Sequence, residues 1–64
     1  MNSLHDFEKA KKFFQQGLKN LQDENYEDAE KNLLESLKLV PNRVSTLQNL
    51  ISVYIATEQK KKLK

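Results

Sequence analysis

Apolar side chains recur every three or four residues along most of the chain, which is the spacing of an amphipathic α-helix. The first such segment predicts a helix over about residues 4–22, with Ser3 and Asp6 in a capping box at its start. Its apolar side consists of Leu4, Phe7, Ala10, Phe14, Gly17, Leu18 and Leu21, and Phe13 widens it. We therefore expect this side to pack against the rest of the chain.

A second helix is predicted over about residues 26–39. Asn25 can cap its first turn, and Asp28 lies at the positive end of the helix dipole. Pro41 disfavours a helical conformation at Val40, so the helix should stop just before that residue. Its apolar side consists of Tyr26, Ala29, Leu33, Leu37 and Val40.

The third helix, predicted over about residues 43–60 with Asn42 as its cap, is apolar over a wide arc. Its large apolar residues are Val44, Leu47, Leu50, Ile51, Val53, Tyr54 and Ile55. They spread over roughly 200° of the helix surface, whereas a helix that is covered on one side needs an apolar stripe of about 100°. The pattern thus predicts more apolar surface than the remaining chain can cover.

Composition supports a single all-helical domain over residues 1–64. The chain has one glycine, one proline and many residues that favour helices. It has no cysteine and only one histidine, His5, so it offers neither a disulfide, a reactive thiol nor the ligands of a zinc site. Stability must come from helix packing or from oligomerisation.

The sequence favours the cytoplasm as the location of this protein. The longest apolar run, "LISVYIA", is too short to cross a bilayer. The first ten residues, "MNSLHDFEKA", lack the apolar segment of a signal peptide. We accordingly expect no membrane partner.

The net charge of +2 arises at the C-terminal end. Residues 1–59 carry seven basic and nine acidic side chains, and the basic tail at 60–64, "KKKLK", adds four lysines. A short Lys-rich end complements the helix dipole and keeps the helix end solvated. This explanation is favoured over binding of nucleic acid or acidic lipid, and no nucleic-acid partner is expected.

No enzyme chemistry is predicted. The serines have no identifiable histidine and acid companions, and His5 beside Asp6 is a common pair near a helix start. The acidic residues at the second turn and helix start are explained by the helix dipole. We expect no catalytic, cofactor-binding or metal-binding residue, and no cofactor.

Small residues and a proline at fixed offsets suggest a repeat. Gly17, Ala29 and Pro41, with the helix–turn–helix order around them, resemble the tetratricopeptide repeat, a unit of about 34 residues. The resemblance covers about residues 10–57, which is roughly one and a half repeats. The residues to which it assigns repeat packing are Phe13, Gly17, Tyr26, Ala29, Leu33 and Pro41. Four residues depart from the family pattern: Gln16, Asn20, Glu24 and Ile51. Glu24 replaces a frequent turn glycine, and Ile51 replaces a small residue.

The resemblance implies a three-helix antiparallel array, a fragment of an α-solenoid that lacks the helix covering helix 3. Three exposed large apolar residues forfeit roughly 5–9 kcal/mol at about 1.5–3 kcal/mol each, whereas a core of this size supplies about 3–5 kcal/mol. We therefore expect a non-catalytic interaction module that self-associates, most simply as a dimer. The residues expected to carry self-association are Val44, Leu47, Leu50, Ile51, Tyr54 and Ile55.

Other functions stay open at this point. The chain could be a piece of a longer repeat protein, an accessory segment of an enzyme such as a glycosyltransferase, or an engineered minimal repeat whose only activity is assembly. A protein or peptide partner is a further expectation. Some members of the family hold a peptide carboxylate with Lys and Asn side chains, and Asn49 matches one such position. Phe14 and Leu18 occupy the preceding positions and cannot donate, so any peptide groove here would be apolar.

Overall fold

The computed structural model describes residues 4–41 and 43–62. The predicted caps Ser3 and Asn42 and the last two residues of the basic tail lie outside these ranges. The chain forms three helices, α1 (Leu4–Gln22), α2 (Tyr26–Leu39) and α3 (Val44–Lys62), and the described ranges contain no strand. The all-helical prediction is confirmed. α3 continues two residues beyond its predicted end, since the lysines that follow Glu58 are good helix formers.

The turn between α1 and α2 ends the first helix with paired backbone hydrogen bonds. The amide of Asn25 donates to the carbonyl of Asn20 (2.8 Å), and the amide of Glu24 donates to the carbonyl of Leu21 (3.1 Å). This is the pattern of a Schellman motif, whose central residue adopts a left-handed conformation. Glu24 has a φ of 60°, so a glutamate occupies a position that favours glycine.

Asn25 precedes α2 as predicted but does not cap its backbone. Its side-chain amide donates to the carboxylate of Asp28 instead, with Nδ2 and Oδ2 2.9 Å apart. The backbone of Asn25 (φ −91°, ψ 74°) lies away from the extended conformation that aims a capping oxygen at the first amides. The expected cap is therefore replaced by an exposed contact between two side chains.

α1 and α2 form an antiparallel hairpin in close contact. A methyl group added at Gly17 would lie 2.7 Å from Cγ of Leu33 and 3.5 Å from the carbonyl oxygen of Ala29. Gly17 is thus a point of contact between the helices, and its nearest neighbour is Leu33 rather than Ala29. At the other end of the hairpin, Oγ of buried Ser36 donates to the carbonyl of Ala10 (2.8 Å).

α3 packs against α2 beside α1 and touches α1 least. The core residues Ala29 and Leu33 of α2 meet Leu50 and Val53 of α3, all nearly inaccessible to solvent. Phe14, Leu21, Tyr26 and Leu37 are half-buried around this cluster. The Cα atoms span 44 × 19 × 13 Å, so the described chain is a thin layer in which each outer helix keeps an open side.

Candidate functional site

The open side of α3 carries a continuous row of large apolar side chains. Its members, which we call the α3 stripe, are Val44 (64% exposed), Leu47 (42%), Ile51 (56%), Tyr54 (45%) and Ile55 (54%). They follow one another at intervals of one, three or four residues and so share one side of the helix. Single exposed apolar residues are ordinary, but a contiguous row of five is typical of a surface that binds another protein.

Leu50 does not belong to this surface, although it was among the residues expected to carry self-association. It is 5% exposed and lies in the core with Val53, while Thr46 on the same side is fully buried. Residues 46, 50 and 53 recur at the helical spacing and face α2. The wide apolar arc of α3 therefore divides into one face that the chain covers and one that it leaves open.

The C-terminal half of the stripe forms an open depression of about 430 Å³. Ile51, Tyr54 and Ile55 provide its apolar lining, and Glu58 and Gln59 close its far end. A depression of this shape can receive a large apolar side chain from another helix, as in knobs-into-holes packing.

The edge of the stripe towards α2 is acidic. A hydrogen bond to Glu30, then partial burial and the negative charge of Glu30, raise the pKa of Tyr54 above its usual value of 10.0. Glu24 and Glu27 lie next to Glu30 along a second depression that also includes Lys60. The apolar row is thus flanked by a polar rim, which is the usual arrangement of a protein interface.

Sequence reasoning missed Arg43, which lies in the connection before α3. Its guanidinium stacks over the ring of Phe14 (4.9 Å to the centroid) and reaches Phe7 (5.8 Å). Nη1 of Arg43 is enclosed and has no hydrogen-bond partner within residues 4–41 and 43–62. A cation between two aromatic rings is a stabilising contact. It joins α1 to the start of α3, but periodicity cannot reveal it because Arg43 lies in a connection.

The three residues expected to line a peptide groove do not form an open apolar site. Phe14 is half-buried beneath Arg43, and Leu18 is 37% exposed. The amide nitrogen of Asn49 donates to the carbonyl of Ser45 (2.8 Å), so it is already engaged within its own helix. The groove remains a prediction, and it would require the Arg43 side chain to move.

The hydroxyl groups with observed hydrogen bonds serve the backbone. Ser52 donates to Gln48 (3.2 Å) and Thr57 to Tyr54 (3.0 Å), each to a carbonyl in the preceding turn of α3. Within the described ranges, no three histidine, cysteine or acidic residues come together in a way that could hold a metal ion. The same ranges contain no helix whose length and apolar character would suit a membrane span.

Comparisons with protein-family models, curated proteins and solved structures found no match for this chain. The tetratricopeptide-like character of the chain accordingly stays a prediction from its residues.

Proposed function

We propose that this protein is a non-catalytic module that self-associates through the α3 stripe. The observation that carries this proposal is the contiguous open row from Val44 to Ile55 on a helix whose adjacent face is already buried against α2. The chain cannot relieve this exposure by itself, because α2 occupies the other side of α3 and α1 is largely out of reach.

The area of the stripe suits a pair of chains. The exposed parts of its five side chains amount to on the order of 500 Å² per chain, so two copies together would bury about 1,000 Å². This value lies at the lower end for specific protein interfaces. The aromatic ring of Tyr54 and the depression beside it provide the kind of anchor and pocket on which binding energy concentrates.

A second copy fits the stripe better than a helix resembling α2 would. α2 can approach α1 closely only because Gly17 leaves room for Leu33. In the proposed tetratricopeptide-like register, Ile51 takes the position of Gly17. A covering helix with a leucine at the matching place would collide with Ile51 at that spacing. Two α3 helices instead bring large side chains together at a wider separation, within the usual 8–10 Å between packed helices.

The test combines sedimentation with one charge placed on the stripe. We expect the wild-type chain to sediment as an oligomer at micromolar concentration. Ile51→Glu should shift it to monomer, because a carboxylate buried in an apolar contact loses its hydration. Ser52→Glu is the matched control, since it adds the same charge at the next exposed residue but off the stripe.

Circular dichroism separates dissociation from unfolding in this experiment. A wild-type chain that is a folded monomer at micromolar concentration would overturn the proposal. So would an Ile51→Glu variant that keeps the oligomeric mass, because the interface would then lie elsewhere. Equal dissociation by Ser52→Glu would point to a general charge effect and would also count against the α3 stripe.

A further inference from the structure

The two outer helices of the layer present different surfaces. α3 exposes the apolar stripe, whereas α1 exposes polar side chains at the same helical spacing: Lys9, Lys12, Gln16 and Lys19. Another side of α1 exposes Leu4 (76%), Phe7 (48%) and Leu18 (37%). His5, Lys9, Lys12 and Gln16 border one depression on this surface together with Phe13. Exposed Lys11 and the Arg43 side chain over Phe14 interrupt the apolar residues of α1, so of the two outer helices only α3 offers a continuous apolar row for assembly.

This difference between α1 and α3 favours one of the two ways in which copies of the chain could associate. A head-to-tail contact would place the stripe of one copy against the lysines of α1 on the next copy, and the ammonium groups would lose water without gaining partners. A contact between two stripes buries apolar surface on both sides. An interface of this kind, in which the same patch is used twice, closes at two chains, whereas a head-to-tail contact can grow into a filament.

Resting on the self-association proposed above, we infer that the protein forms a closed dimer in which two α3 helices pack antiparallel across a two-fold axis. In a parallel pair, the lysine-rich C-terminal turns of both α3 helices would lie side by side, and their like charges repel, although Lys61 lies 4.0 Å from Glu58 within each chain. The antiparallel pair places these lysines at opposite ends of the interface. It also aligns the two helix dipoles favourably.

The antiparallel arrangement fixes which residues meet. With the axis near the middle of the stripe, Val44 of one copy lies opposite Ile55 of the other. The two Val44 residues are then about 16.5 Å apart along the helix axis, at 1.5 Å per residue. A disulfide requires Cα atoms within about 7 Å. The chain contains no cysteine, so introduced thiols report on the arrangement without interference.

The experiment mixes Val44→Cys and Ile55→Cys chains under mild oxidation and identifies the covalent dimers by mass. We expect the mixed disulfide to dominate and each variant alone to give little covalent product. Both positions are at least half exposed, so the substitutions leave the core intact, and circular dichroism confirms folding. Lys12→Cys mixed with Ile51→Cys serves as the probe for a head-to-tail contact.

Each outcome separates this inference from the proposal beneath it. A monomer by sedimentation would overturn both. A dimer in which Val44→Cys and Ile55→Cys each cross-link to themselves is parallel, and it would overturn the antiparallel inference alone. A mass that keeps growing with concentration, or a Lys12→Cys to Ile51→Cys disulfide, would show head-to-tail growth and would likewise overturn the closed dimer while leaving self-association in place.

Discussion

At the scale of single residues, Gly17 shows how one missing side chain sets the distance between two helices. A glycine inside a helix costs about 1 kcal/mol relative to alanine. Here the space that alanine would need is occupied by the side chain of Leu33, which is fully buried and has little room to move. The sequence alone indicated a packed glycine, but it could not single out Leu33 as the neighbour, because side-chain direction depends on how the two helices are rotated.

We predict that Gly17→Ala destabilises the protein. Overpacking a core costs about 1–3 kcal/mol, and the gain in helix propensity offsets about 1 kcal/mol of it, so the free energy of unfolding should fall by up to about 2 kcal/mol. Urea denaturation at a fixed protein concentration measures this change. The double variant with Leu33→Ala should lose less than the sum of the two single losses. An increase in stability for Gly17→Ala would show that the two helices are not in close contact here.

The sequence predicted that Glu24 lies in the turn between α1 and α2, but it did not predict its backbone conformation. Its position in the predicted turn, where the resembling family often has glycine, marked it as a departure. The structure gives it a positive φ within a complete Schellman motif. The hydrogen bonds of Asn20 and Leu21 hold this turn despite the unfavourable residue. Such compensation arises from the backbone and leaves no mark in the spacing of side chains.

At the scale of elements, α3 shows what the spacing of apolar residues can and cannot predict. Periodicity predicts three helices and their apolar sides, and the all-helical fold is confirmed. It cannot divide a wide apolar arc between a buried face and an open one, since both contain the same residue types. Leu50 and Ile51 are neighbours of similar size, yet the first is 5% exposed and the second 56%. Only the direction from which α2 approaches decides between them.

This division predicts unequal losses of stability for the same substitution at two positions. Leu50→Ala removes a core side chain and should lower the free energy of unfolding by about 2–4 kcal/mol. Leu47→Ala acts on a side chain that is 42% exposed and should change the stability of the single chain by well under half of that amount. Denaturation at a dilution where monomer dominates isolates this comparison. Comparable losses at the two positions would contradict the placement of α3 on α2.

The contact between Tyr54 and Glu30 predicts a pH dependence. The hydrogen bond, partial burial and negative charge of the carboxylate raise the pKa of Tyr54, so the folded chain binds this proton more tightly than the unfolded chain does. The contact therefore contributes stability below pH 10, and this contribution is lost as the pH rises through the higher pKa of the folded state. In a Tyr26→Phe background, tyrosinate absorbance follows Tyr54 alone. Glu30→Gln should return the midpoint towards its usual value, and an unchanged midpoint would disprove the contact.

At the scale of the whole molecule, the proposed self-association rests on the open side of α3. The prediction that this helix exposes apolar surface came from its arc alone, and five of the six residues chosen for self-association lie on the exposed face. The spacing of residues along α1 did not predict a role in assembly for its polar outer side. Its meaning depends on α1 and α3 both being outer helices of one layer, which is a property of the assembled fold and not of any segment.

If two chains stabilise each other, the melting temperature must depend on protein concentration. A tenfold dilution removes about 1.4 kcal/mol from the free energy of the associated pair. For a chain of this size, that loss lowers the melting temperature by several degrees. Calorimetry over a hundredfold range of concentration measures the slope. Ile51→Glu should abolish the slope and Ser52→Glu should keep it, because only the first lies on the α3 stripe. A wild-type melting temperature that does not change with concentration would mean that the single chain carries all of its own stability and that the stripe serves no second copy.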